Sequence, residues 1–172
     1  MRVNIIIRTL NEGKWLPICL MSLQKQIFQD FNVTIVDSGS TDNTFEVAKG
    51  YKRSKKTLAA IAKYKPGKAI NHGAKLQQSD FIVMLSAHCI PVTKDWLSNF
   101  VSYLDNNPDV VAAYGRQVPV NFTGPDDARD LAYTFRGETK KDITPFFHNA
   151  NSIVRTSFWE KFPFDENVAH IE

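Results

Sequence analysis

The chain has 172 residues and a mass of 19.5 kDa, enough to bury one core and too little for two comfortable domains. Its 43% hydrophobic, 23% charged and 12% aromatic residues exclude a disordered tail, a collagen-like fibre and a disulfide scaffold. The net charge of +3 is mild, and no apolar run approaches the roughly 20 residues of a membrane helix.

Val3 to Arg8 is a β-branched run that predicts a strand, and Lys14 to Gln26 carries Trp15, Leu16, Cys19, Leu20 and Leu23 at helical spacing. Val33 to Val36 is again strand-like. Thr41 or Asp42 is placed to cap a helix ending near Gly50. A weaker strand is expected over Thr57 to Ala62, a helix over Lys68 to Gln78, and a strand buried on both faces over Phe81 to Leu85. Trp96, Leu97, Phe100, Val101 and Leu104 mark one face of a further helix. Val110 to Val118 then reads as a strand, Pro125 to about Gly137 as a helix, and Asn151 to Arg155 as a short strand. This alternation predicts an α/β domain with a mostly parallel sheet and helices on both faces.

The opening residues show no basic segment followed by a long apolar stretch, so a cytoplasmic location is expected. Cys19 and Cys89 lack CxxC spacing, which suits a reducing compartment and argues against a zinc cluster. Charge is distributed unevenly. Lys49, Lys52, Arg53, Lys55, Lys56, Lys63, Lys65, Lys68 and Lys75 follow one another with no Asp or Glu between them. Such a run suits an anionic partner, whether a phosphate, a nucleic acid or a membrane surface, or else a solvated face. Stacking aromatics are sparse in it beyond Tyr51 and Tyr64, so no nucleic-acid partner is expected, whereas a peripheral membrane contact stays open.

In open parallel sheets ligands bind beyond the carboxyl ends of the strands. Polar clusters stand at three of those ends. Arg8-Thr9-Leu10-Asn11-Glu12 follows the first strand, Asp37-Ser38-Gly39-Ser40-Thr41-Asp42 the second, and Ser86-Ala87-His88 the fourth. Asp37 either accepts from a base N–H or ribose hydroxyl, or satisfies its own turn. No GxGxxG or GxxxxGK[ST] pattern is present, which disfavours a Rossmann dinucleotide site and a P-loop. Trp96, Phe146, Phe147, Phe158, Trp159 and Phe162 read as core rather than as stacking platforms.

Ile5-Ile6-Ile7-Arg8-Thr9-Leu10-Asn11-Glu12 followed by Val36-Asp37-Ser38-Gly39-Ser40-Thr41-Asp42-Asn43-Thr44 resembles the nucleotide-binding half of family 2 glycosyltransferases with the GT-A fold. Gly67-Lys68-Ala69-Ile70-Asn71-His72-Gly73-Ala74 is similar to the family's helix before the metal-motif strand. Gly115-Arg116-Gln117 and Phe147-His148-Asn149-Ala150-Asn151-Ser152-Ile153-Val154-Arg155 resemble the acceptor side of bacterial, rhamnosyltransferase-like members. The resemblance implies one GT-A domain over residues 1–172, with about 1–91 as the donor half and about 92–172 as a partial acceptor half whose C-terminal part is truncated. It implies inverting transfer of a hexose or deoxyhexose from a UDP or dTDP donor to a hydroxyl of a glycan or lipid-linked acceptor, in surface polysaccharide synthesis at the inner face of the membrane. A nucleotide-sugar binding module without transfer activity is the alternative.

Carried over, the resemblance puts Thr9, Asn11, Glu12, Asp37, Ser38, Gly39, Lys68, Asn71, Ser86 and Ala87 at the nucleotide, with Lys68 alternatively a solvated lysine. Arg116, Gln117, His148 and Asn149 would meet the sugar or acceptor, unless Arg116 pairs with Asp126 or Asp127. The family's Asp-x-Asp is replaced by Ser86-Ala87-His88. His88 is then a ligand of Mn2+ or Mg2+, a direct partner of the diphosphate, or structural. Glu172 would open the family's Glu-Asp motif as the catalytic candidate, with the following residue as base. Donor binding with little or no transfer is therefore expected of residues 1–172 alone.

Overall fold

The computed structural model describes residues 1–52, 55–121, 123–135 and 147–168. Four strands run parallel: β1 (Val3–Thr9), β2 (Phe31–Asp37), β3 (Lys56–Ala60) and β4 (Phe81–Ser86). They join β5 (Ala112–Tyr114) and β6 (Asn151–Arg155) in one sheet of order β3-β2-β1-β4-β6-β5, with β6 antiparallel to both β4 and β5. The expected mostly parallel sheet is present. Every residue of β1, β2 and β4 is buried, as strands covered on both faces require.

The period of two along β1 splits the core. Val3, Ile5 and Ile7 pack with Leu16, Cys19, Leu20 and Leu23 of α1 (Leu16–Gln24), Ala48 of α2 (Thr44–Gly50), and Leu97, Phe100, Val101 and Leu104 of α4 (Trp96–Asn106). Ile6 faces the other way, onto Ala69, Ile70 and Ala74 of α3 (Pro66–Lys75) and Trp159 of α6 (Thr156–Trp159). Each fully buried aliphatic side chain contributes about 1.5–3 kcal/mol, so these two layers hold the sheet flat against its helices. α5 (Pro125–Thr134) buries no residue.

Asn4 shares the α3 face with Ile6 and is wholly buried, which would be costly without partners. Its Oδ1 accepts from Thr34 Oγ1 at 2.7 Å and Asn32 Nδ2 at 3.3 Å, while its Nδ2 donates to the Gly73 carbonyl at 3.2 Å. A Cβ on Gly73 would lie 2.9 Å from Ile6 Cγ2. Glycine there lets α3 lie close to the sheet, fixing where its first turn reaches the strand ends.

Element boundaries depart from the sequence reading for local reasons. α3 begins at Pro66 and not Lys68, because proline suits the first helical turn, where its missing N–H costs nothing. α2 starts at Thr44 with Asn43 at the cap position; Asp42 serves its turn from one step earlier. The strand expected to Val118 stops at Tyr114, because β6 begins at Asn151 and offers no pairing beyond Gly115 N to Asn151 O, 2.8 Å. Of the aromatics read as core, Trp159 is buried and Trp96 packs at the core margin, whereas Phe147 is 36%, Phe158 37% and Phe162 65% exposed. Phe146 lies outside the described residues. No helix among the described residues is long and apolar enough to cross a membrane.

Candidate functional site

The strand order reverses between β1 and β4, so the loops after them diverge and leave a crevice at the carboxyl rim. Register puts the polar clusters together there: Thr9 pairs with Asp37 and Arg8 with Ser86. β5 is parallel to β4 through their shared neighbour β6, which delivers Gly115-Arg116-Gln117 and the residues just before Asn151 to the same rim.

Asp37 organises the second loop. Its Oδ1 accepts from Thr9 Oγ1 at 2.9 Å and Ser40 Oγ at 2.6 Å, and its Oδ2 from the Gly39 and Ser40 backbone N–H groups at 3.1 and 3.0 Å. The acceptor sites of this carboxylate are thus taken by Thr9 and by its own turn. Gly39 carries φ +89°, in the left-handed region that glycine enters freely. Beside it the Ser38 hydroxyl is buried and makes no hydrogen bond among the described residues.

The first loop is stitched to the second. Asn11, itself left-handed at φ 58°, accepts from Thr41 N at 2.8 Å through Oδ1, and its own N–H donates to Ser40 Oγ at 2.9 Å. Glu12 N donates to Thr44 Oγ1 at 2.7 Å and Gly13 N to Asp42 Oδ2 at 3.0 Å. Hydrogen bonds from Thr44 and from the Gly13 and Thr44 amides hold the Asp42 carboxyl below its ordinary range.

Glu12 connects the donor loops to β4's end. Its Oε1 lies 2.9 Å from His88 Nδ1. A carboxylate at that distance requires a proton on Nδ1, so in the neutral ring the lone pair sits on Nε2, the arrangement of a metal-ligating histidine with a carboxylate behind it. Among the described residues no three His, Cys, Asp or Glu side chains converge as a cation site. A divalent cation here would have to take most of its ligands from diphosphate oxygens, and His88 with Glu12 behind it is the pair whose chemistry would fit one further ligand.

Arg8 is the residue the sequence reading passed over. It is 4% exposed, and its Nη2 donates to Ser86 Oγ at 3.0 Å and Asn149 Oδ1 at 3.4 Å, tying β4 to the segment before β6. The available signal was an arginine closing an otherwise apolar strand. Ala87 is buried behind this contact, and Ser86 N donates to Ala150 O at 2.9 Å.

On the acceptor side, Gln117 Nε2 lies 2.9 Å from His148 Nδ1, Cys89 Sγ donates to Gln117 Oε1 at 3.5 Å, and Ala150 N donates to His148 Nδ1 at 3.4 Å. The His148 ring packs edge-on against Phe135, centroids 5.4 Å apart. Arg116 is exposed on the rim. Its only expected acidic partners, Asp126 and Asp127, lie in the first turn of α5.

Two residues of α3 part company. Lys68 is exposed on the first turn of α3, a helix that follows the carboxyl end of the parallel strand β3 and so starts on the rim side of the sheet. Asn71 does not reach the crevice with a spare group. Its Nδ2 donates to Phe164 O at 2.7 Å and Glu166 Oε1 at 3.1 Å, while its Oδ1 accepts from Trp159 Nε1 at 2.9 Å and Phe164 N at 3.1 Å. All four polar positions of the amide are thus engaged in a clamp on the C-terminal segment. In the basic run, Lys55 pairs with Asp30 at 3.1 Å, and Lys56 donates to the Lys49 and Tyr51 carbonyls at 2.9 and 2.8 Å at the end of α2. Arg53 and the catalytic candidate Glu172 lie outside the described residues.

Comparison with known proteins places this geometry in a family context. A model of the family described as Glycosyl transferase family 2 matches residues 4–162. The O-antigen chain rhamnosyltransferase RfbN of Salmonella typhimurium is 29% identical over 178 residues, covering 94% of this chain and 54% of that protein. Among solved structures, the mannosyltransferase PcManGT from Pyrobaculum calidifontis, in complex with GDP-Man and Mn2+, superposes with a TM-score of 0.77 at 22% identity, over 97% of this chain and 48% of that one. S. aureus TarS 1-349 in complex with UDP gives 0.74 at 21% identity, over 97% of this chain and 51% of that one. The chain spans about half the length of these relatives.

Proposed function

The chain belongs to glycosyl transferase family 2 and has the GT-A fold, and from that premise we propose that its rim crevice binds the nucleoside diphosphate of a sugar donor, for inverting transfer of a hexose or deoxyhexose to a hydroxyl of a glycan or lipid-linked acceptor in surface polysaccharide synthesis. The observation that carries this reading is the convergence of three loops, remote in sequence, on the β1/β4 switch point: Thr9 and Asp37 locked together, Glu12 against His88, and the buried Ser38 hydroxyl without a hydrogen-bond partner among the described residues. A divalent cation bound at this point would neutralise charge on the leaving diphosphate. The chain's own part is to offer His88 Nε2 to it, oriented by Glu12, and to keep the nucleoside loop rigid through Asp37. Lys68 and Arg116 are the exposed rim cations suited to the same anionic groups. RfbN, named for O-antigen chain rhamnosyl transfer, supports the deoxyhexose choice.

A thermal-shift panel of UDP, dTDP and GDP with their sugar conjugates, with and without Mn2+, tests the reading. A true donor at about 100-fold over its Kd should add about 2.7 kcal/mol of stability. Asp37→Ala should weaken that binding at least tenfold, as should the milder Ser38→Ala if the hydroxyl meets ligand; binding unchanged in both would sink the proposal. His88→Ala should remove the Mn2+-dependent gain and leave affinity in chelator untouched. The absence of a carboxylate from Ser86-Ala87-His88 keeps a second reading in view, a nucleotide-sugar binding module. It would be supported by donor binding without transfer in the full-length protein.

A further inference from the structure

The outer face of α1 is apolar where a surface helix ordinarily turns charge to water. Leu16–Gln24 contains no acidic or basic residue, and its Leu16, Cys19, Leu20 and Leu23 already fill the core side. Ile18 is nevertheless 39% and Met21 52% exposed. The helical path extends past both ends of α1: Leu16 N donates to Glu12 O at 2.9 Å and Cys19 N to Trp15 O at 3.1 Å, and Lys25 keeps a right-handed helical conformation. Lys14, Ile18, Met21 and Lys25 therefore recur at i, i+4, i+7 and i+11, the spacing of one helical face, and all four are exposed. Two bulky apolar side chains are thus bracketed by two cations. α2 packs beside α1 and adds exposed Phe45, with Lys49 one turn further on and Glu46 as its one acid.

We propose that this face of α1 and α2 docks on an anionic lipid surface, with Ile18, Met21 and Phe45 entering the headgroup boundary and Lys14, Lys25 and Lys49 meeting lipid phosphates. Charge and area select this partner. A two-fold pairing of the stripe with a second copy would lay lysine against lysine. Three apolar side chains also fall short of the roughly 800 Å² a side that a stable protein interface covers, whereas partition onto a bilayer accumulates from single apolar side chains and single cations. The lysine stems can run along the apolar stripe while their ammonium groups rise to the phosphates. The basic run singled out in the sequence is less suited to this role. Lys55 pairs with Asp30, Lys56 is spent on backbone carbonyls, and Lys75, on α3 across the sheet, lines a cleft that it shares with Glu160 and Glu166. The inference goes beyond the donor-binding reading and stands without it.

Cosedimentation of the chain with phosphatidylcholine vesicles, with and without phosphatidylglycerol, tests the docking face. The wild type should partition onto the anionic vesicles and far less onto phosphatidylcholine alone. Ile18→Ser with Met21→Ser, both at exposed positions, should lower that partition at least tenfold with an unchanged thermal melt. Lys14→Gln and Lys25→Gln should each lower it about fivefold at low salt. Lys75→Gln, on the other side of the sheet, should leave it unchanged. No binding of the wild type to anionic vesicles at low salt overturns the proposal. So does binding that Lys75→Gln removes, or binding that the serine pair leaves intact and that salt of about 1 M abolishes, since that is charge attraction alone. A wild-type dimer in solution that the serine pair dissociates, with no vesicle binding, would make the stripe an interface between copies and overturn it as well. A chain that binds vesicles and no nucleotide would keep this inference and lose the donor-binding reading.

Discussion

Asn71 shows how one buried amide can define a segment that the hydrophobic pattern leaves vague. It is 2% exposed, spends both donors and both acceptor positions on Trp159, Phe164 and Glu166, and lies one turn from Gly67, where an added Cβ would sit 2.4 Å from the Asp165 carbonyl. Truncating it strands the Trp159 N–H and the Phe164 backbone groups, each worth about 1–3 kcal/mol when buried without a partner. Asn71→Ala is expected to cost about 3 kcal/mol, a fall in Tm of roughly 8 °C, while leaving nucleotide affinity intact. A thermal melt unchanged within a degree would show that the clamp is ornamental. Loss of nucleotide binding at full folded content would restore Asn71 to the donor site.

At the scale of elements, the β1–α1 and β2–α2 connections form one unit bound by hydrogen bonds from backbone to side chain. Asp42 is its hub, accepting from Gly13 N through one oxygen and from Thr44 N through the other. Its folded carboxyl is held below the ordinary value, first by the Thr44 hydroxyl and then by those amides, so the stitching is complete above the unfolded pKa of about 4 and is lost as pH falls through the lowered folded value. Protection of the Gly13 and Thr44 amides, taken relative to the intrinsic exchange rate at each pH, should fall on acidification below about pH 4, ahead of the strands. In Asp42→Asn the two amides should exchange faster already at neutral pH, with no further step in acid. Equal protection in wild type and variant would assign the loop's rigidity to Asn11 and Asp37 instead.

Over the whole molecule, the sheet's central strands β2, β1 and β4 carry the deepest burial and the rim loops carry the chemistry, so stability and binding are separable in space. Hydrogen exchange should find those strands slowest, and a bound nucleoside diphosphate should protect residues 9–13, 37–42 and 86–89 together. Protection of one of these stretches alone would mean that the ligand does not bridge the crevice. Much of this frame was legible beforehand. β-branched and continuous apolar runs, and apolar positions at helical spacing, are local signals, and they located the strands of the described residues and the fold class. Polar residues following each strand marked the rim, since a parallel sheet leaves its ligand crevice nowhere else. What the sequence by itself determined was therefore the element order, the α/β class and the residues that end on the rim. Only the tertiary structure decided how those residues spend their polar groups: Asn71 gives its amide to Trp159, Phe164 and Glu166, Arg8 reaches Ser86 and Asn149, and Glu12 meets His88. The physical reason is that hydrogen bonds between residues far apart in the chain, 76 positions for Glu12 and His88 and 93 for Asn71 and Phe164, depend on strand register and the close packing of α3, which no local pattern encodes.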